Sequence, residues 1–157
     1  MKILTQTTVA LVTCSLVFYG CSVQKETKNA EAYEDLKSQV FSLDQTETLN
    51  ESFGTVNLFT KGIESTYGTK NVTTGVLTIL PKSEAHPPHK HSEEEYLLIT
   101  KGSGTWSLNG EEFPANTGDL LYAAPWDLHG IFNSDTTTLE FYFVKWENKG
   151  VESPKEN

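Results

Sequence analysis

Three of the four histidines in this chain lie in one short stretch, His86-Pro87-Pro88-His89-Lys90-His91-Ser92-Glu93-Glu94-Glu95. Side chains two apart on extended backbone point the same way, so His89 and His91 can offer two imidazole nitrogens to one point on one face of a strand. Glu95 follows His91 after a short turn and brings an anionic oxygen. Two imidazoles beside a carboxylate suit an intermediate divalent ion. His86, on a proline-braced loop, reads first as an exposed loop histidine and second as a substrate contact or a donor behind the site. Glu93 and Glu94 read first as a solvated acidic turn, and Glu94 is also a candidate for moving a proton.

Other chemistries are excluded by composition. All 12 basic residues are lysine, so no guanidinium fork is present and a carboxylate or phosphate would meet a lysine point charge. The net charge of −9 leaves no basic surface for nucleic acid. Cys14 and Cys21 are the only cysteines, so the body of the protein has neither disulfide nor nucleophilic thiol.

The elements that must position these groups read as strands. Runs rich in β-branched and aromatic residues at 54–59, 72–80, 95–100, 104–108, 111–114, 119–122, 130–133 and 138–146 are separated by turn residues. Asn109-Gly110 is a two-residue hairpin signal, because both residues tolerate positive φ. The last run alternates Leu139, Phe141 and Phe143 with Glu140, Tyr142 and Val144, as a sheet packed on another sheet requires. Many short strands predict an all-β sandwich or barrel in a single domain. Residues 33–53 form an N-terminal extension that can begin as a helical turn and pass into a strand at 39–43.

Here the motifs become specific. His89, His91, Glu95 and Gly102 fall on the pattern Gly-(x)5-His-x-His-(x)3-4-Glu-(x)6-Gly, with Ser83 in place of the leading glycine. Gly118, His129 and Asn133 fall on Gly-(x)5-Pro-x-Gly-(x)2-His-(x)3-Asn, with Ala124 at the proline position, Pro125 one place later and Trp126 at the inner glycine. The chain thus resembles the cupin superfamily over residues 54–146. The resemblance implies a double-stranded β-helix of jelly-roll type that holds one divalent metal, zinc, iron, nickel or manganese, through His89, His91, Glu95 and His129. It also implies open coordination positions for a small molecule. Tyr122, Trp126 and Phe132 flank the second motif and are candidates for an apolar mouth or for core. Asp127 can act as acid or base if it faces inward, and reads otherwise as a turn carboxylate.

Residues 1–20 resemble a secretory signal, and Phe18-Tyr19-Gly20-Cys21 resembles a bacterial lipobox with Cys21 as the lipidated residue. Residues 21–32 then read as a polar tether, and 147–157 as a polar tail. Export to the cell envelope or periplasm follows, with the membrane reached only through the lipid. Two functions fit. One is a metal-dependent isomerase, lyase or dioxygenase acting on a small molecule, with Glu94, Tyr122 or Asp127 moving a proton. The other is a lipoprotein that binds a small ligand or metal without turnover. A homodimer is expected if the segment 40–43 pairs with a neighbour's sheet edge.

Overall fold

The computed structural model describes residues 35–156, all within one compact unit. The expected signal segment, the Cys21 anchor and the tether lie outside the described residues. Among these residues a short 3-10 turn, Leu43–Gln45, precedes nine strands: β1 Thr48–Glu51, β2 Gly54–Leu58, β3 Thr69–Ile79, β4 Glu94–Lys101, β5 Ser103–Leu108, β6 Glu111–Asn116, β7 Leu120–Ala123, β8 His129–Phe132 and β9 Leu139–Asn148.

The strands form two antiparallel sheets. The larger has the order β1-β2-β3-β9-β4-β7 and the smaller β6-β5-β8. Each sheet turns one face inward by the two-residue period, and the core collects what those faces present. Ile79, Leu97, Ile99, Ala123, Leu139 and Phe141 come from the larger sheet, and Trp106, Ala115 and Ile131 from the smaller. Burial of each large aliphatic or aromatic side chain contributes about 1.5–3 kcal/mol, which closes the two sheets into a jelly roll.

Local chemistry fixes the turns. Asn109 and Gly110 take φ of 52° and 87° between β5 and β6, the conformation a type I′ hairpin requires. Gly102, between β4 and β5, has φ of 76°, and a Cβ there would stand 2.4 Å from the Thr138 carbonyl oxygen. Only glycine fits that close approach.

Asn133 is fully buried, and its Nδ2 donates to the carbonyls of Ile79, Leu80 and Thr137 at 2.9, 3.0 and 2.8 Å. Its Oδ1 accepts the Asp135 amide at 3.1 Å, so one side chain ties the end of β3 to the turn that starts β9. Asn133→Ala strands several buried carbonyls and is expected to cost about 2–3 kcal/mol, read from the urea midpoint. A midpoint unmoved within error would show that the clamp contributes nothing.

The N-terminal extension differs from expectation. Residues 39–43 form no strand within this chain. Phe41 instead lies against Phe59, which stacks on Tyr142, so this segment covers the outer face of the larger sheet rather than joining its edge. The edge belongs to β1, which pairs with β2 from Thr48↔Asn57 to Glu51↔Gly54. All four β1 residues are exposed, so the strand has no apolar alternation by which the sequence could reveal it.

Candidate metal centre

The centre is assembled where the loop before β4 meets the start of β8. His89 and His129 form an isolated antiparallel bridge, with N–H to carbonyl distances of 2.9 and 3.0 Å in the two directions. Gly130 makes that approach feasible, since a Cβ there would sit 3.0 Å from Pro88 Cα. His91 is held by its carbonyl, which accepts the Trp126 amide at 2.8 Å. The ring centroids of His89, His91 and His129 form a nearly equilateral triangle of 5.1, 4.8 and 4.8 Å. Their nitrogens lie within 4.8 Å of one another, so a small inward shift of the rings brings them to the separation, at most about 4.2 Å, that one metal ion spans.

Trp126 stands where the second motif has its inner glycine, and its φ of 69° is the left-handed conformation that position demands. A non-glycine residue there costs roughly 1–2 kcal/mol, offset by the bond to His91 and by the indole N–H, which donates to the Pro154 carbonyl.

Hydrogen bonding fixes the imidazole tautomers. His129 Nδ1 lies 2.8 Å from the Asp127 carbonyl and His91 Nδ1 3.1 Å from the Glu93 carbonyl. A carbonyl oxygen only accepts, so both Nδ1 atoms donate and both Nε2 atoms turn toward Glu95 Oε2, at 3.1 and 3.2 Å. Two nitrogen lone pairs facing one carboxylate oxygen repel unless a proton or a cation lies among them. His89 Nδ1 is buried and has no hydrogen-bond partner among the described residues. The His89 ring stands beside the other two imidazoles, and three imidazoles with a carboxylate are the donor set a divalent cation satisfies, so the residues present fit a metal.

The electrostatics agree. Burial, then the neighbouring His86, His129 and His91, hold His89 down at about 4. In the metal-free centre a proton takes the cation's place: burial would raise the Glu95 carboxyl, but the hydrogen bonds that His129 and His91 make to it with a proton between them outweigh burial and bring it to about 2. Burial opposes charge on His129, yet its bonds to Glu95 and the Asp127 carbonyl raise it above the ordinary histidine value. Below its raised pKa the ring carries the proton that a metal must displace, so affinity is expected to fall about tenfold per pH unit there and to level off above it. Chelator-competition titrations between pH 5 and 8 measure this, and a pH-independent affinity would contradict it.

A cavity of about 150 Å³ opens beside the three imidazoles and Glu95. Its walls are mainly apolar, with Leu77, Trp106, Ile131, Phe141 and Phe143 from both sheets.

The expected proton-moving residues do not reach this cavity. Glu94 precedes Glu95 on β4 and so faces the other way, where its carboxylate accepts Tyr122 Oη at 3.0 Å and Asn148 Nδ2 at 2.8 Å. Tyr122 shares that outer face, its ring against Tyr96. Asp127 accepts the Asn109 side-chain amide at 2.9 Å and is a surface turn carboxylate. Trp126 and Phe132 also lie off the cavity, whose aromatic walls are Trp106, Phe141 and Phe143. His86 does line it, its ring edge-on to His89 at 4.1 Å.

Lys145 is a cavity residue that the sequence reading missed. Extending the alternation Leu139, Phe141, Phe143 by one step would have found it. In the β4–β9 register it stands directly opposite Glu95.

An antiparallel barrel with imidazoles and a carboxylate converging beside an interior cavity defines a class, the small β-barrels built around a metal site. Residues 75–145 match the Cupin domain family, and the chain belongs to the cupin superfamily. It is 35% identical over 66 residues to an oxalate-binding protein of Thermotoga maritima, covering 41% of this chain and 54% of that protein. It is 30% identical over 64 residues to a gentisate 1,2-dioxygenase of Streptomyces, covering 40% of this chain and 18% of that protein. The match thus spans about half of the first relative and a fifth of the second. The crystal structure of an RmlC-like cupin from Shewanella frigidimarina superposes with a TM-score of 0.57 at 16% identity, covering 72% of this chain and 95% of that one. That likeness supports the fold.

Proposed function

We propose that this protein is an exported, metal-dependent cupin that acts on a small molecule, with His89, His91, Glu95 and His129 as metal ligands. The observation that carries the reading is the unpartnered His89 nitrogen, buried beside two imidazoles aimed at one carboxylate, at the wall of a ligand-sized cavity. A divalent ion held there would polarise a carbonyl or enolate oxygen, or, as iron, support chemistry with dioxygen. The chain's own residues orient the ligand and exclude water, with the apolar walls holding its body against the imidazole face. His86 and Lys145 are the cavity residues that can carry a proton, in place of Glu94, Tyr122 and Asp127. The relatives named above are an oxalate-binding protein and a dioxygenase, which supports a small-molecule ligand and leaves the reaction type open among isomerase, lyase and dioxygenase.

The second reading, a binder without turnover, is favoured by the position of Glu94, Tyr122 and Asp127 away from the cavity. Purified protein is analysed for metal and then screened against small carbonyl and carboxylate compounds beside His129→Ala. Product that disappears in the variant supports an enzyme. Thermal stabilisation by a compound that is never consumed supports the binder.

Attachment through a lipid on Cys21 is part of the proposal, supported by the apolar run and lipobox-like residues before it. Palmitate labelling that is lost in Cys21→Ser tests it. A homodimer is also proposed, covering the exposed Leu98, Leu120 and Tyr142 on the outer face of β4, β7 and β9. Light scattering that gives a monomer mass at micromolar concentration would exclude it.

A further inference from the structure

Lys145 is the single lysine among the described residues lining the cavity, and the chain has no arginine to share its role. It projects inward from β9 opposite Glu95, so its ammonium stands beside the candidate metal centre while the next inward residues, Phe143 and Phe141, lead into the apolar interior. Among the described residues its charge partner is Glu93 Oε1 at 3.7 Å, beyond hydrogen-bond reach, so its donors are free to take a closer acceptor. The other Glu93 oxygen lies 3.4 Å from His91 Nδ1, which keeps that carboxylate turned partly toward the histidine.

The charges around the cavity decide what kind of ligand fits. Three neutral imidazoles, one carboxylate and a divalent ion leave one positive charge. Lys145 adds a second and Glu93 removes one, so the mouth of the cavity carries a net excess of one positive charge. A site with apolar walls and this excess is matched by an anion with one charged end and an apolar body. The cavity volume of about 150 Å³ equals that of an engineered pocket known to hold benzene, so the whole ligand is on the order of six non-hydrogen atoms.

We infer that the cavity takes a small monocarboxylate with a short apolar body, and that Lys145 is the specificity-determining residue that holds the carboxylate at the mouth. This rests on the metal-site reading above and adds a residue and a ligand class to it. Lysine binds the anion as a point charge through rotatable donors, so the site discriminates by charge more than by the geometry of the carboxylate.

Butyrate and butyramide serve as probes, because they share a shape and differ in charge. Zinc uptake is first measured on wild type, Lys145→Met and Glu93→Gln, and the probes are then titrated by calorimetry into each loaded protein. The wild type is expected to prefer butyrate by about tenfold or more, as a charge-assisted hydrogen bond provides. In Lys145→Met that preference falls to near one while zinc uptake and butyramide binding are unchanged. Glu93→Gln, which removes the competing anion and keeps the lysine, tightens butyrate severalfold. Full zinc uptake with an unchanged preference in Lys145→Met overturns the role of the lysine and leaves the metal site standing. Full uptake in wild type with no preference for butyrate overturns the ligand class, and no uptake overturns both readings. Failure of Glu93→Gln to tighten butyrate counts against the lysine as well, and does so even if Lys145→Met does not fold.

Discussion

His129→Ala lowers the affinity for a divalent metal by roughly a hundredfold to a thousandfold. Four-ligand zinc sites provide apparent binding energies of about 10–16 kcal/mol, so one ligand of four carries about 3–4 kcal/mol, which corresponds to that loss. His129 is the ligand candidate best placed to show the whole effect, because it is 2% exposed and the most buried of the three histidines. Its removal also leaves Glu95 without one of its two imidazole partners. Glu94→Ala is the matched control. That carboxylate is adjacent in sequence yet faces outward, and its loss leaves affinity within about twofold. Competition with a chromophoric chelator measures both. Equal affinities for wild type and His129→Ala would remove His129 from the ligand set.

Stripping the metal has the second large effect, on stability. A ligand present at a thousand times its dissociation constant stabilises the folded state by about 4 kcal/mol. For a domain of this size each kcal/mol moves Tm by roughly 3–5 °C, so chelation is expected to lower the calorimetric transition by about 12–20 °C. The cause is local. Without a cation the centre holds an unpartnered His89 nitrogen and two imidazoles pressed on one carboxylate, and those groups are unsatisfied only in the folded state. In His129→Ala the chelator-dependent shift shrinks to a few degrees. Identical transitions with and without chelator would show that no ion contributes to the fold.

Much of the architecture was legible because strand chemistry is local. Alternating apolar residues, the Asn109-Gly110 turn and Gly102 each specify their conformation within a few residues, and the eight expected strand runs all lie on observed strands. β1 was hidden because both its faces are exposed, and the segment 39–43 misled because its apolar residues cover a sheet rather than join one.

At the candidate site the division is sharper. The types and spacing of His89, His91 and Glu95, and the match of His129 to the second motif, were readable along the chain, as was the absence of arginine from any role. Tertiary structure alone decided which neighbours share the cavity. It turned Glu94 and Tyr122 outward, tied Asp127 to Asn109, let Trp126 adopt a glycine-like turn and brought Lys145 opposite Glu95. A two-residue period says which side chains share a face. Only the closing of one sheet over another, through contacts far apart in sequence, determines which face is the inside.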